Sequence, residues 1–355
     1  MTIKDKVIIA GLMSGTSLDG LDIAVCEFRK EKHQWKYRIL DAVTASYSDE
    51  WKARLSEAHT LRADEFVRIH FEFGAFMGDL VREFLGKNGL KADYIASHGQ
   101  TVIHRPDQGN TFQIGHGASL ARQAGVPVIC DFRSGDVAAG GQGAPLVPIG
   151  DEMLFGEYKF CVNLGGFSNI SFRHDERRIA FDICPVNFLL NKEAARLGVA
   201  YDDGGKVARA GMIMPGLLDK LNELAYYHQP FPKSLGREWT EKYISPIIPS
   251  KAKPEDLLRT FTEHIAIQIA KVFNEHGRIR DKALFTGGGV YNQFLMERIA
   301  EYAGVEIVVP ENQIVDFKEA LIFAYLGLLR MVGQPNCLAS VTGAKTDTCG
   351  GAIYL

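Results

Sequence analysis

Two hydrophobic periods are interleaved along the whole chain. Short apolar runs of strand length, KVIIAGLMSG (6–15) and LDIAVCEF (21–28), flank a polar, glycine-containing stretch and predict two strands joined by a loop. Residues 64–86 carry Phe66, Ile69, Phe73, Met77, Leu80 and Phe84 at three- and four-residue spacing, which predicts a long amphipathic helix stopped by Gly86 and Gly89. A short strand at Tyr94–Ala96 is expected to break into a polar loop, SHGQTVIH. A helix, the strand VPVICDF and a glycine-rich loop, GDVAAGGQGAPLVP, come next. After about residue 155 the style repeats. KFCVNLGGFSNISF reads as strand, glycine turn and strand, and RIAFDICPVNFLLN as a third such unit. Long helical patterns cover 254–277 and DFKEALIFAYLGLLRMVG, and KALFTGGGVYNQFLMERIAEYAG places a triple glycine between a strand and a helix. The expected fold is therefore α/β and duplicated, with a cleft between two lobes. The expected lobes are residues 1–155 and 156–355, the last helix being free to pack back on the first.

Length and composition fit this picture. A chain of 355 residues exceeds what one core usually supports. The formal net charge of −3 argues against a dominant nucleic-acid footprint. Cys26, Cys130, Cys161, Cys184, Cys337 and Cys349 are scattered without a CxxC pair, which suits a reducing compartment better than a disulfide framework or a zinc site. The N-terminal apolar run is short and is followed by Asp19 and Asp22, so neither a signal peptide nor a membrane span is expected. A cytoplasmic location follows as an expectation.

The candidate chemistry sits at the strand–turn junctions. In GLMSGTSLDGLD (11–22), glycines let backbone N–H groups approach an anion, and Ser14, Thr16 and Ser17 add hydroxyls. Asp19 and Asp22 suit such a loop only if a cation bridges them to phosphate, directly or through water. An ordinary hairpin turn would need fewer residues, so phosphate binding is favoured, although the Walker pattern is absent. Gly287, Gly288 and Gly289 suit either a ligand lying on backbone or tight helix–strand packing. Asp182 ends an apolar strand and is either a general base or metal contact, or the N-cap of the following helix. His98, Gln100, His104, Asp131, Arg133, Asp136 and Gln142 fall on expected loops with the mixed donors and acceptors that a sugar needs. The six-residue spacing of His98 and His104 is not a metal-binding helix pattern. Lys233 and Arg237 lie on a rigid basic turn. Glu319, in an otherwise apolar helix, is either a site carboxylate or a solvated first-turn residue.

The stretches MSGTSLDGLD, SHGQTV, DFRSGDVAAGGQGAPLVP, NLGGFSNIS, PKSLGRE, TGGGVYN and VTGAKTDTCGGAIY together resemble the anhydro-N-acetylmuramic acid kinase family, from residue 13 to residue 354. The resemblance implies a two-lobed, ribonuclease H-like fold of the sugar kinase, Hsp70 and actin type, with ATP in the interdomain cleft. It implies that 1,6-anhydro-N-acetylmuramate is opened by water and phosphorylated on O6 by ATP with Mg²⁺, giving N-acetylmuramate 6-phosphate and ADP in murein recycling. It places Asp182 as the base and Glu319 as a further polar contact. Gly15, Thr16, Ser17, Leu18, Asp19, Gly20, Leu21 and Asp22, with Gly287, Gly288 and Gly289, fall to ATP. His98, Gln100, Asp131, Arg133 and Gln142 fall to the sugar, and Asp19 and Asp22 to Mg²⁺ through water. The expected partners are the sugar and ATP, with a homodimer allowed for, and neither nucleic acid nor membrane. FDICPVN differs from the family's usual FDTGPGN or FDTGPAN, with Ile183 and Cys184 where Thr and Gly stand, and QIGHG differs from its QIGDP or QIGNP near His116. Rival readings are another sugar kinase of this fold, a metal-dependent carbamoyl transferase, and an actin- or Hsp70-like nucleotide switch.

Overall fold

A computed structural model describes residues 5–15, 17–32 and 34–355. Its strands, in chain order, are β1 (Lys6–Ser14), β2 (Gly20–Glu31), β3 (Gln34–Ser46), β4 (Tyr94–Arg105), β5 (Asn110–Ile114), β6 (Val128–Cys130), β7 (Phe160–Leu164), β8 (Phe167–His174), β9 (Arg177–Pro185), β10 (Lys282–Thr286), β11 (Glu306–Val308) and β12 (Ala352–Tyr354). The chain forms two compact units. One comprises Met1–Leu154 with Phe317–Leu355, and the other Phe155–Asp316, so the chain returns to the first unit inside the helix Asn312–Val332.

In the first unit the sheet order is β12-β6-β4-β1-β2-β3, with β5 paired to β4. β1, β2 and β3 form an antiparallel meander. β4 joins β1 in parallel and β6 joins β4 in parallel. In the second unit the order is β11-β10-β7-β8-β9; β7, β8 and β9 are the meander, and β10 and β11 add in parallel. The expected duplication is thus visible as one topology built twice, among the described residues.

Helices cover these sheets where strands such as β1 and β2 are apolar on both faces. β1 is buried at nearly every position, the pattern of a sheet sandwiched between helices. The helix Ala63–Lys87 turns Ile69, Phe73, Met77, Val81 and Leu85 into the first core, close to the predicted span. The helix Asn312–Val332 crosses β1 so closely that a Cβ on Gly11 would lie 1.8 Å from the Ala320 carbonyl oxygen. In the second unit Phe160, Phe172, Phe273 and Phe285 form a chain of ring contacts with centroids 5.0–5.9 Å apart. The helix Pro254–His276 runs through this core, and its buried Glu263 is neutralised by Arg259 at 3.0 Å and Arg298 at 2.8 Å.

Two expectations fail. SHGQTVIH is not a loop: β4 runs on through it to Arg105, bending at Gly99 (φ +71). Its polar side chains mask a paired backbone, in which Ser97 and Gln100 pair with β1 and residues from Gln100 onward pair with β5. Likewise, Asp182 does not end its strand, because β9 continues to Pro185.

The close crossing at Gly11 gives a paired prediction. Gly11→Ala should destabilise the protein by about 3 kcal/mol, since backbone must shift. Gly86→Ala, where a Cβ meets nothing within 4 Å in a helix, should stabilise it by up to about 1 kcal/mol. Urea unfolding of both variants checks the contrast.

Candidate active site

The loop between β1 and β2 is anchored at its base and open at its tip. Ser14 Oγ donates to Gln100 Oε1 at 2.6 Å and lies 2.6 Å from Tyr47 Oη, so its hydroxyl is occupied inside the first unit. Leu18, with φ +58, donates its N–H to the Gly15 carbonyl at 3.2 Å and closes a tight turn. A Cβ on Gly15 would meet only Ser17 Oγ, at 3.7 Å, so that glycine leaves its backbone approachable. Gly20 instead packs against the Ala45 carbonyl, and the Leu21 side chain is in the core; both serve the fold. Asp19 is exposed. Asp22 is half-buried on β2 and accepts from Thr44 Oγ1 at 2.6 Å. Thr16 lies outside the described residues.

Behind this loop the first unit holds a charged cluster. Glu319 is in the third turn of its helix, which begins at Asn312, so the first-turn explanation does not apply. Burial raises its pKa. Lys318 and Arg133 oppose the rise, and Asp22 and Asp151 add to it. Lys318 and Asp151 form a buried ion pair at 2.7 Å. Arg133 donates Nε and Nη2 to His98 Nε2 at 3.1 and 2.8 Å, and Nη1 to the Gly143 carbonyl at 2.6 Å. His98 Nδ1 in turn faces the Gly99 carbonyl at 2.8 Å, which requires the Nδ1–H tautomer. Burial, reinforced by Arg133, holds the His98 pKa down at about 3, and burial brings Arg133 to about 10. The cluster is a desolvated patch in which three carboxylates face two cations.

The expected sugar residues are only partly brought together. His98, Gln100 and His104 stand on β4 rather than on a loop. His98 and Asp131 line one cavity of about 210 Å³ together with His70, His116 and Tyr354. Asp131 (φ +61) is exposed and accepts from the Ser134 N–H at 3.3 Å. Gln100 is buried under Ser14, and Gln142 is exposed on its loop outside that cavity. Asp136 is structural: it is fully buried and accepts from the Gly143 N–H, Thr342 Oγ1 and Cys337 Sγ. All six cysteines are free.

In the second unit, β9 is an edge strand and presents Asp182 half-buried. Its Oδ2 accepts from the Leu235 N–H at 2.8 Å. Its own N–H donates to the Lys233 carbonyl at 3.2 Å, and its carbonyl accepts from Tyr226 Oη at 2.6 Å. Burial raises the Asp182 pKa, and the Leu235 N–H only partly offsets this. The helix-cap alternative is excluded, because the N-cap of Asn187–Ala195 is Val186 and that turn is closed by the Gly165 and Gly166 carbonyls. The triple glycine divides its labour. Gly287 (φ +84) and Gly289 would each clash with Asn163 or Leu164 if given a Cβ, so both serve packing, whereas Gly288 faces open space. Gly288 lines a cavity of about 390 Å³ with Gly289, Tyr291, Asn187, Asp202 and Asp203. The sequence reading missed these last residues. The signal was YDDGGK (201–206), whose Gly204 and Gly205 take positive φ and whose Asp202 caps the next helix through the Val207 and Ala208 N–H groups.

Two units, each a β-meander extended by parallel strands in the order 3-2-1-4-5 and each carrying a glycine turn at its strand ends, define the duplicated ribonuclease H-like class to which ATPases and sugar kinases belong. Comparison with known proteins narrows the class. The family described as anhydro-N-acetylmuramic acid kinase matches residues 7–355, and the chain belongs to that family. A curated relative of that name from Francisella tularensis subsp. novicida is 34% identical, with 97% of each chain covered. Another, from Chromobacterium violaceum, is 37% identical over 97% of this chain and 98% of its own. Among solved structures, a ROK family glucokinase from Streptomyces griseus in complex with glucose and AMPPNP is similar over 89% of this chain and 97% of its own, at 12% identity and a TM-score of 0.40. The chain is thus a kinase. Among the described residues, no helix is long and apolar enough to cross a membrane.

The neutral His98 makes stability depend on pH. Its folded pKa of about 3 lies below the ordinary value of 6.5, so below that value the unfolded chain binds the extra proton. Its contribution is complete above pH 6.5 and is lost as pH falls through this window, at up to about 1.4 kcal/mol per pH unit. Urea unfolding of the wild type should weaken from pH 7 to about pH 5, and His98→Asn should reduce but not abolish the dependence, because burial also depresses His264 to about 3 and His70 to about 4.

Proposed function

We propose that the chain opens the 1,6-anhydro ring of 1,6-anhydro-N-acetylmuramate with water and phosphorylates O6 from ATP, giving N-acetylmuramate 6-phosphate and ADP for peptidoglycan recycling in the cytoplasm. The observation that carries this reading is the environment of Asp182. Among the described residues no ion pair joins its carboxylate, which is desolvated, raised in pKa and oriented by one backbone N–H. Such a group is a better proton acceptor near neutral pH than an exposed aspartate.

In this reading Asp182 takes a proton from a water, whose oxygen bonds to C1 of the sugar as the C1–O6 bond breaks. The freed O6 attacks the γ-phosphorus of ATP, the bond from that phosphorus to the β–γ bridging oxygen breaks, and ADP leaves. No separate general acid is needed at O6, because its developing negative charge passes into the new bond to phosphorus. Glu319 and Arg133 are the further polar, partly charged groups of this reading. The Gly15–Asp19 turn offers N–H groups to phosphate, and Gly288 leaves backbone open to the nucleotide.

The acidic residues fit a divalent cation of the Mg²⁺ type. Asp22 and Asp151 both raise the pKa of the buried Glu319, and Mg²⁺ needs only one or two carboxylates alongside phosphate and water. Asp22 would hold it, with Asp19 reaching it through water, and the ion would supply charge neutralisation at the transferring phosphoryl group.

Asp182→Asn should lower ADP release in the presence of the anhydro sugar by more than about a thousandfold, with ATP affinity kept within about threefold; retention of turnover rules out the base assignment. Gly288→Val should fold normally, since its Cβ has space, yet raise the KM for ATP by about tenfold or more. Comparing anhydro-N-acetylmuramate, N-acetylmuramate and glucose as acceptors tests the substrate, and preference for glucose would replace this reading with a simple hexose kinase.

A further inference from the structure

A cavity of about 440 Å³ opens on the side of β9 away from Asp182. Phe181 and Ile183 line it, and strand alternation turns the intervening Asp182 to the other face. Phe231 lies parallel to Phe181, with ring centroids 5.6 Å apart and planes 6° apart, and the two make an aromatic wall. Two ammonium groups border the same space. Lys233 Nζ donates to the Tyr226 carbonyl at 3.1 Å, and Lys271 Nζ to the Tyr227 carbonyl at 3.3 Å. Each retains two N–H donors beyond the one accounted for. Burial, and after it the charge of Lys271, depresses the pKa of the half-buried Lys233, with Glu275 as the nearby opposing charge.

This pocket is connected to the proposed base by backbone. The segment that carries Phe231 and Lys233 also supplies the Lys233 carbonyl to the Asp182 N–H and the Leu235 N–H to the Asp182 carboxylate. Any shift of residues 233–235 must therefore alter the donor that sets the orientation and proton affinity of that carboxylate.

We propose that this cavity binds a small organic phosphate. The phosphoryl group lies between Lys233 and Lys271, its body rests on the Phe181–Phe231 wall, and occupancy is transmitted to Asp182 through residues 233–235. A dianion matches two flexible point cations better than a monocarboxylate does, and the volume accommodates a body the size of a hexose. The binding site stands on its own; only the functional meaning of the coupling rests on Asp182 being the base.

Titration calorimetry of the full chain with glucose 6-phosphate, inorganic phosphate and glucose tests the site. Saturable binding of glucose 6-phosphate is expected, with weaker binding of inorganic phosphate and none of glucose. Lys271→Gln should weaken the sugar phosphate by about tenfold or more, Lys271→Arg should largely restore it, and Asp182→Asn should leave it within about twofold. Equal affinity in Lys271→Gln, or no binding at millimolar concentration, overturns the site. The amide resonance of Leu235 in ¹⁵N-labelled protein should move on addition of glucose 6-phosphate, and an unmoved resonance overturns the coupling. Neither readout uses turnover, so a failure of the catalytic reading at Asp182 is seen separately.

Discussion

The second unit depends on one constraint: a carboxylate must stand on an edge strand, out of water, without being neutralised. β9 has a strand neighbour on one side only. Its free edge is met at Asp182 by the segment 233–235, which accepts the backbone N–H and returns one N–H to the carboxylate. A cation in the same place would have lowered the pKa further; a backbone amide orients the carboxylate at smaller cost to its basicity. The arrangement also explains the aromatic packing around Phe181, Phe231 and Tyr226. That packing fixes the loop which fixes the acid.

The first unit solves a different problem, holding buried charge of both signs in one cluster. His98 is kept neutral so that it can accept from Arg133, and Arg133 is thereby aimed rather than left to find a carboxylate. Lys318 and Asp151 neutralise each other in the interior. Glu319, with a raised pKa, stays within the influence of Asp22 and Arg133. Such a network is costly to bury and is retained where its members must hold fixed orientations.

The departure at FDICPVN falls at Cys184, which is buried and lies 3.4 Å from Ser168 Oγ; its amide N–H and carbonyl also bond that hydroxyl. Cys184 lies two residues from Asp182 and packs in the second core, and Asp182 keeps the Leu235 N–H beside it.

Hydrophobic periodicity alone determined the existence and type of most elements, including the helix Ala63–Lys87 and the doubled strand–turn–strand units, because burial of one face is written directly into residue spacing. Glycine runs marked where backbone comes close to something. The sequence could not say whether that something was ligand or neighbouring chain. Gly288 and Gly15 face open space, while Gly287, Gly289 and Gly20 face backbone or side chains, and only the folded chain separates them. The polar segment SHGQTVIH reads as loop from its composition, because its pairing first with β1 and then with β5 is a non-local fact. The same holds for the pKa of Asp182 and the neutrality of His98. Both are set by Leu235, Arg133 and the surrounding burial, groups 53 and 35 residues away in sequence that only tertiary structure brings within hydrogen-bond distance.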